Sequence, residues 1–430
     1  MLKYNFLKFL SVLIFFSSCA YFEDEEDIIL PGKRESIYSS EGEVLLKVSK
    51  KVIIDKPKNI ETWSQQHQNI KNHLSHFKSN SVLKVERKID LEGIIFEKSK
   101  FFTPPIIANN IIYYSDNDYK IIAKNLINGR TKWKFELKLE KSEKFPLVAG
   151  FFLEENKLLF SSGLGNLYCI DITSGKVLWL KKFGVQFTRP PVLHKNKIFL
   201  VSDDNQLFAV DKNSKEILWS HLGNIEELSI IGGSKPVIDQ GMIVVSYSSG
   251  EIFALDEETG SVIWFDNIST ANIFAKTSVN DIQSPICIES EKLYVPTFSN
   301  KFLAYNLKNG KKTWDIKLSS INPITISGET IYLIDINNRL IGLDKATGKL
   351  LWAVQLKSKE NKREIIWSGP LLTSNKLLVL SSTGLILSLS PFTGKTLSKI
   401  KYKEKFITSP IQTGGKVYLI SEDGILYILS

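Results

Sequence analysis

The sequence predicts an all-β protein: an eight-bladed β-propeller of four-stranded antiparallel blades, its ring closed by an N-terminal strand. Three observations carry this expectation. From about residue 80 onward one motif recurs in fixed register, and a repeat of this kind cannot bury its apolar face until neighbours stack on it. The recurrence interval is about 44 residues, the length of a four-stranded blade. The final unit, Pro410 to Ser430, stops just after Leu426-Tyr427-Ile428-Leu429, so its fourth strand must come from elsewhere in the chain.

Each unit opens on a proline: Pro105, Pro146, Pro191, Pro236, Pro285, Pro323, Pro370 and Pro410. An apolar strand, a polar turn and a second apolar strand follow, as in Ile198-Phe199-Leu200-Val201 and Leu207-Phe208-Ala209-Val210. The unit then turns at Gly129, Gly175, Lys215, Gly260, Gly310, Gly348 or Gly394, because glycine accepts the positive φ that a tight turn or bulge needs. Four residues later stands Trp133, Trp179, Trp219, Trp264, Trp314 or Trp352, with Ser398 in the seventh unit. Six residues before the turn stands a small residue: Ala123, Cys169, Ala209, Ala254, Ala304, Gly342 or Ser388. The small side chain is read as marking close approach of two sheets, and the tryptophan as docking each blade on its neighbour. Val82–Ile89 lies at the calculated start of the ring and is expected to complete blade eight, removing the exposed edges of an open sheet; seven blades is the alternative, if the first or last unit is not a blade.

The N-terminus reads differently. Lys3 and Lys8 precede the apolar run Phe9–Phe16, which is too short to span a bilayer and ends at Ser17-Ser18-Cys19. Residues 1–18 are expected to be a signal peptide, and the small residues before Cys19 resemble a bacterial lipobox, in which that cysteine is lipidated. Residues 19–42, with Glu23-Asp24-Glu25-Glu26-Asp27 and Pro31-Gly32, read as a flexible lipidated tether. Residues 43–80 read as an extension packing on the propeller, and 81–430 as the propeller itself. Ala20 after the cysteine is compatible with outward sorting, which implies the periplasmic face of the outer membrane.

Composition excludes several functions. The net charge is +9, but the basic residues are scattered among acids, so no nucleic-acid-binding stripe forms. Three cysteines among 430 residues cannot build a disulfide scaffold or a multi-cysteine zinc site. Cys169 falls at the small-residue position and Cys287 on a strand, so both read as packing groups. His73-x-x-His76, with His67 nearby, lacks the further ligands a metal requires. Gly394-Lys395-Thr396 imitates a phosphate loop but is a repeat turn, and no nucleophile elbow or zinc-protease motif is present. No catalytic residue, metal site or cofactor is expected.

The blade signature, Ala254-Leu255-Asp256, Thr259-Gly260 and Trp264, resembles the repeat of pyrroloquinoline-quinone propellers and their cofactor-free relatives. Together with the lipobox and eight repeats, the chain resembles the BamB family, propeller lipoproteins of the BAM machinery that inserts β-barrel proteins into bacterial outer membranes. Ile268-Ser269-Thr270-Ala271, the insertion before Ser284-Pro285, and Ile331–Arg339 match that family's central blades, and Leu30–Arg34 and Trp63-Ser64-Gln65 match stretches that precede the propeller. The resemblance implies a non-catalytic scaffold that binds the periplasmic domains of a BamA-type barrel-inserting subunit and assists insertion, with unfolded outer-membrane proteins as a further partner. It places the contact at Leu228, Ser229, Ile230 and Ile231, where Ile231 replaces the family's arginine, and at Asn280, Asp281 and Ile282, where one carboxylate remains. The alternatives are a quinone-dependent dehydrogenase, whose chamber needs insertions that units of this length lack, and a propeller that docks another envelope partner.

Overall fold

A computed structural model describes residues 44–47, 50–80, 84–95, 102–137, 148–225, 232–268, 282, 284–357, 359–360, 363–406 and 408–430. Among them lie eight antiparallel sheets of the four-stranded pattern and no helix. Blade 1 runs from Ile106–Ala108 to Thr131–Phe135, blade 2 from Val148–Glu154 to Val177–Lys182, blade 3 from Val192–His194 to Ile217–Leu222, and blade 4 from Val237–Asp239 to Val262–Asn267. Blade 5 runs from Cys287–Glu289 to Lys312–Ile316, blade 6 from Thr325–Ser327 to Leu350–Gln355, and blade 7 from Trp367–Thr373 to Thr396–Lys401. Within each, the strands pair in chain order, as hairpin connections dictate.

Blade 8 has three strands from the C-terminus and a fourth from the N-terminus. Val85–Asp90 pairs antiparallel with Ile425–Leu429, bringing Val85 opposite Leu429 and Ile89 opposite Leu426. The closing strand therefore begins three residues later than Val82, the first of the expected stretch, and residues 81–83 lie outside the described part. One feature exceeds the repeat. Val44–Lys47 adds a fifth strand to the outer edge of blade 6, with Val44 opposite Val354 and Lys47 opposite Trp352.

The turn chemistry explains the regular register. In blade 2 the Asp171 carboxylate accepts the backbone N–H of Ser174 at 2.8 Å, and the Gly175 N–H returns to the Asp171 carbonyl at 2.9 Å. Gly175 sits at φ +72°, the left-handed region, and the register shifts by one residue before Trp179. The small residue needs a different explanation from the one the sequence suggested. It lies directly opposite the tryptophan of its own blade: Ala123 faces Trp133, Cys169 faces Trp179, Ala304 faces Trp314 and Gly342 faces Trp352. A Cβ on Gly342 would stand 2.7 Å from Trp352 Cε2, so the indole lying flat across the neighbouring strand, not the next sheet, imposes the limit.

Residues 58–80 trace a full circuit around the inner edges of the blades. Gly414 in blade 8 donates to Ile60 at 2.7 Å, Trp63 and Ile107 in blade 1 exchange bonds of 2.7 and 2.9 Å, and Leu153 in blade 2 donates to Ser64 at 2.8 Å. Ile238 in blade 4 donates to Ile70 at 3.1 Å, Ile288 in blade 5 to Lys71 at 2.9 Å, and Ile326 in blade 6 to Leu74 at 2.9 Å. Phe77 donates to Leu372 in blade 7 at 3.0 Å, and Asn80 to Gly415 in blade 8 at 3.1 Å. Ile70 also packs on the cluster that contains Leu193 and Ile198 of blade 3. The circuit satisfies backbone groups that the innermost strands would otherwise leave unpaired.

Candidate functional site

The connections between blades 3 and 4 and between blades 4 and 5 each run from an outer strand to the next inner strand, and so emerge on the same face of the ring. Leu228, Ser229, Ile230 and Ile231 lie outside the described residues, as do Asn280, Asp281 and Cys19. What the structure describes is how the two loops are held at their bases.

The first loop is gripped on both sides. On entry, Gly223 donates to the Asn205 carbonyl at 2.9 Å, and the Asn224 backbone and side-chain N–H groups both reach the Glu251 carboxylate at 2.7 Å. Ser249 donates a further 2.8 Å bond to Glu251, which meets the demand of a carboxylate that is largely buried. On exit, Arg189 donates from Nε to the Gly232 carbonyl at 3.0 Å and from Nη1 to the Ser246 carbonyl at 2.9 Å. Between these anchors Ile225 stands 69% exposed.

The second loop is held by apolar burial. Ile268 and Ile282 both lie in the core cluster with Trp264, Ile286 and Leu303. Ile282, expected at the partner contact, is 1% exposed, and its side chain closes the base of the insertion from inside. Lys301 adds a 2.9 Å bond to the Ile268 carbonyl.

Beside the first loop a buried polar group links the blades to the inner circuit. Lys235 Nζ donates to Gln65 Oε1 at 2.8 Å and to the Asn69 carbonyl at 2.9 Å, and burial pulls its pKa down to about 7. Burial, then the Lys235 charge, lowers His67 to about 3, so that imidazole is neutral at any physiological pH. The sequence signals of these buried cations are a lysine directly before the proline of a blade, Lys235-Pro236, and Arg189 before Pro190.

His73, His76 and both described cysteines are committed to packing. His73 Nε2 lies 3.1 Å from the Ile326 carbonyl, and His76 bonds the Asp55 carbonyl through Nδ1 at 2.7 Å while Nε2 accepts from the Asn375 N–H at 2.9 Å. Among the described residues no three His, Cys, Asp or Glu side chains converge. Cys169 and Cys287 are fully buried, and burial raises the Cys169 thiol to about 11.

The tryptophans bind blade to blade. Trp133 donates from Nε1 to the Ile172 carbonyl at 2.7 Å, Trp264 to Leu307 at 2.7 Å, Trp314 to Lys345 at 3.2 Å and Trp352 to Pro391 at 3.0 Å, each acceptor belonging to the next blade. The next turn glycine caps each of these rings: Cβ atoms on Gly175, Gly310, Gly348 and Gly394 would meet Trp133, Trp264, Trp314 and Trp352 within 3.0 Å. Trp219 is capped likewise by Gly260, but its Nε1 is buried without a partner.

Eight antiparallel blades, with an indole in six of the seams between them, define the class, an eight-bladed β-propeller of quinoprotein-type repeats. The family model described as outer membrane protein assembly factor BamB matches residues 128–354 and 342–430, and the chain belongs to that family. An uncharacterised protein of Rickettsia prowazekii (strain Madrid E) is 27% identical over 231 residues, 52% of this chain and 55% of that protein. The chain thus spans about half the length of the first curated relatives it matches. The outer membrane protein assembly factor BamB of Escherichia coli (strain K12) is 24% identical over 333 residues, covering 76% of this chain and 83% of that protein. Among solved structures, BamB from Moraxella catarrhalis superposes with a TM-score of 0.65 at 17% identity, covering 81% of this chain and 100% of the other. Quinohemoprotein alcohol dehydrogenase from Comamonas testosteroni gives the same TM-score of 0.65 at 13% identity, covering 86% and 80%. At such identities both structures speak to the fold alone.

Proposed function

We propose that this chain is a non-catalytic scaffold lipoprotein of outer-membrane β-barrel assembly, tethered through Cys19 at the periplasmic face. It binds a BamA-type barrel-inserting subunit through Leu228–Ile231 and Asn280–Asp281. The observation that carries this reading is the family match over most of the propeller, joined to two neighbouring loops whose bases are locked on one face. A loop with fixed ends presents its apolar residues at low ordering cost, which suits a docking element. Unfolded outer-membrane proteins are a second partner, taken up by edge pairing on the rim.

The fold likeness to a quinohemoprotein dehydrogenase raises the enzyme alternative. Residues 58–80 hydrogen-bond along the inner edges of the blades, which supports the scaffold reading. The deciding experiment is an affinity pull-down of tagged protein from detergent-solubilised envelopes, repeated with Leu228→Asp/Ile230→Asp. Recovery of the barrel-inserting subunit by the native chain alone is the expected result. Its absence from the native eluate, or saturable binding of pyrroloquinoline quinone in a parallel titration, would overturn the reading.

A further inference from the structure

The seam between blades 2 and 3 departs from the others. Its turn residue is Lys215, a non-glycine at φ +67°, where the other turns of the ring up to blade 7 carry glycine. Trp179 stays part-exposed, and among the described residues its Nε1 has no hydrogen-bond partner, whereas four of the other five indoles donate to the next blade. Lys215 Nζ instead lies 5.3 Å from the centre of the Trp179 ring.

The result is an open notch of about 220 Å³. Trp179, Leu159 and Ile198 line its apolar part, and Lys157, Lys212 and Lys215 stand at its polar part with Asn213 and a single carboxylate, Glu154. Lys212 is engaged by Glu154 at 2.5 Å, while Lys157 has no ion-pair partner among the described residues and Lys215 is held only by the Asn213 carbonyl and the ring. The outer strands on either side add exposed apolar residues, with Leu178 50%, Leu180 43%, Ile217 46% and Leu218 48% exposed. An apolar recess of aromatic size, flanked by unneutralised cations and bordered by exposed apolar strands, selects for a ligand that is apolar at its centre and anionic around it.

We propose that this notch is a peptide-binding site that takes one aromatic side chain from an acidic segment of a partner protein. The aromatic ring enters against Trp179, and neighbouring carboxylates meet Lys157 and Lys215. The site is independent of the loops assigned to the barrel-inserting subunit, so either assignment can fail without the other.

The test is fluorescence anisotropy of a labelled Asp-Glu-Phe-Asp-Glu peptide with the full mature chain in detergent. Replacing the phenylalanine by alanine is expected to weaken binding about tenfold, the value of one buried apolar group. Lys157→Glu/Lys215→Glu, both on the surface, is expected to weaken it at least as much with an unchanged melting curve. Equal binding of the alanine peptide would reduce the effect to general attraction by a basic protein and refute the site. So would unaltered affinity in the double variant, or binding of phosphatidylglycerol vesicles at this notch with no peptide binding.

Discussion

Replacing Trp352 and Trp179 by alanine, one at a time, separates a closed seam from an open one. Trp352 is 1% exposed, lies 5.9 Å from Tyr332 centre to centre, and donates to the Pro391 carbonyl at 3.0 Å. Truncating a buried tryptophan costs about 3–5 kcal/mol, and the orphaned carbonyl adds about 1 kcal/mol. At Trp179 the ring is already part-exposed, no carbonyl is orphaned, and the space left behind opens to water, so the loss is about 1–2 kcal/mol. The two variants should differ by roughly 3 kcal/mol in unfolding free energy. Urea titration followed by far-ultraviolet circular dichroism measures both without relying on tryptophan emission. Losses equal within about 0.5 kcal/mol would refute the argument that capping by the next turn glycine is what makes these indoles stabilise the ring.

Two further outcomes follow from buried groups. Lys235 titrates near pH 7 when folded and near its ordinary, much higher value when unfolded, so between those values the unfolded chain holds the extra proton and stability rises with pH. Relative to Lys235→Met, the native chain should gain on the order of 3 kcal/mol between pH 7 and pH 9.5 in urea titrations, and parallel pH profiles would show that the amine is not held as described. Ile282→Asp places a carboxylate in the blade 4–5 core and should lower the melting temperature by several degrees, whereas Leu228→Asp should leave it unchanged; a selective loss of partner binding by a fully stable Ile282→Asp protein would restore Ile282 to the contact.

The sequence by itself determined the class of fold, the repeat unit and the place of each repeat turn with its indole, and the count of units pointed to eight blades. Those signals are local and recur unit after unit: Asp171 to Gly175 to Trp179 is a short-range hydrogen-bonding pattern, and its period counts the blades. The missing fourth strand of blade 8 was legible for the same reason, since a period that stops early names what it lacks.

Only the tertiary structure decided where non-repeating residues go. The segment from Lys58 to Asn80 carries no strand or helix period, takes positive φ at His67, Gln68 and Asn72, and bonds to strands tens to hundreds of positions away through backbone atoms that every residue shares. No side-chain pattern encodes such pairing. The same holds for Val44–Lys47 on blade 6, for the cause of the small residue opposite each tryptophan, and for the inward turn of Ile282. Each depends on which surfaces meet once the ring has closed, a property of long-range packing that a repeat read along one chain does not contain.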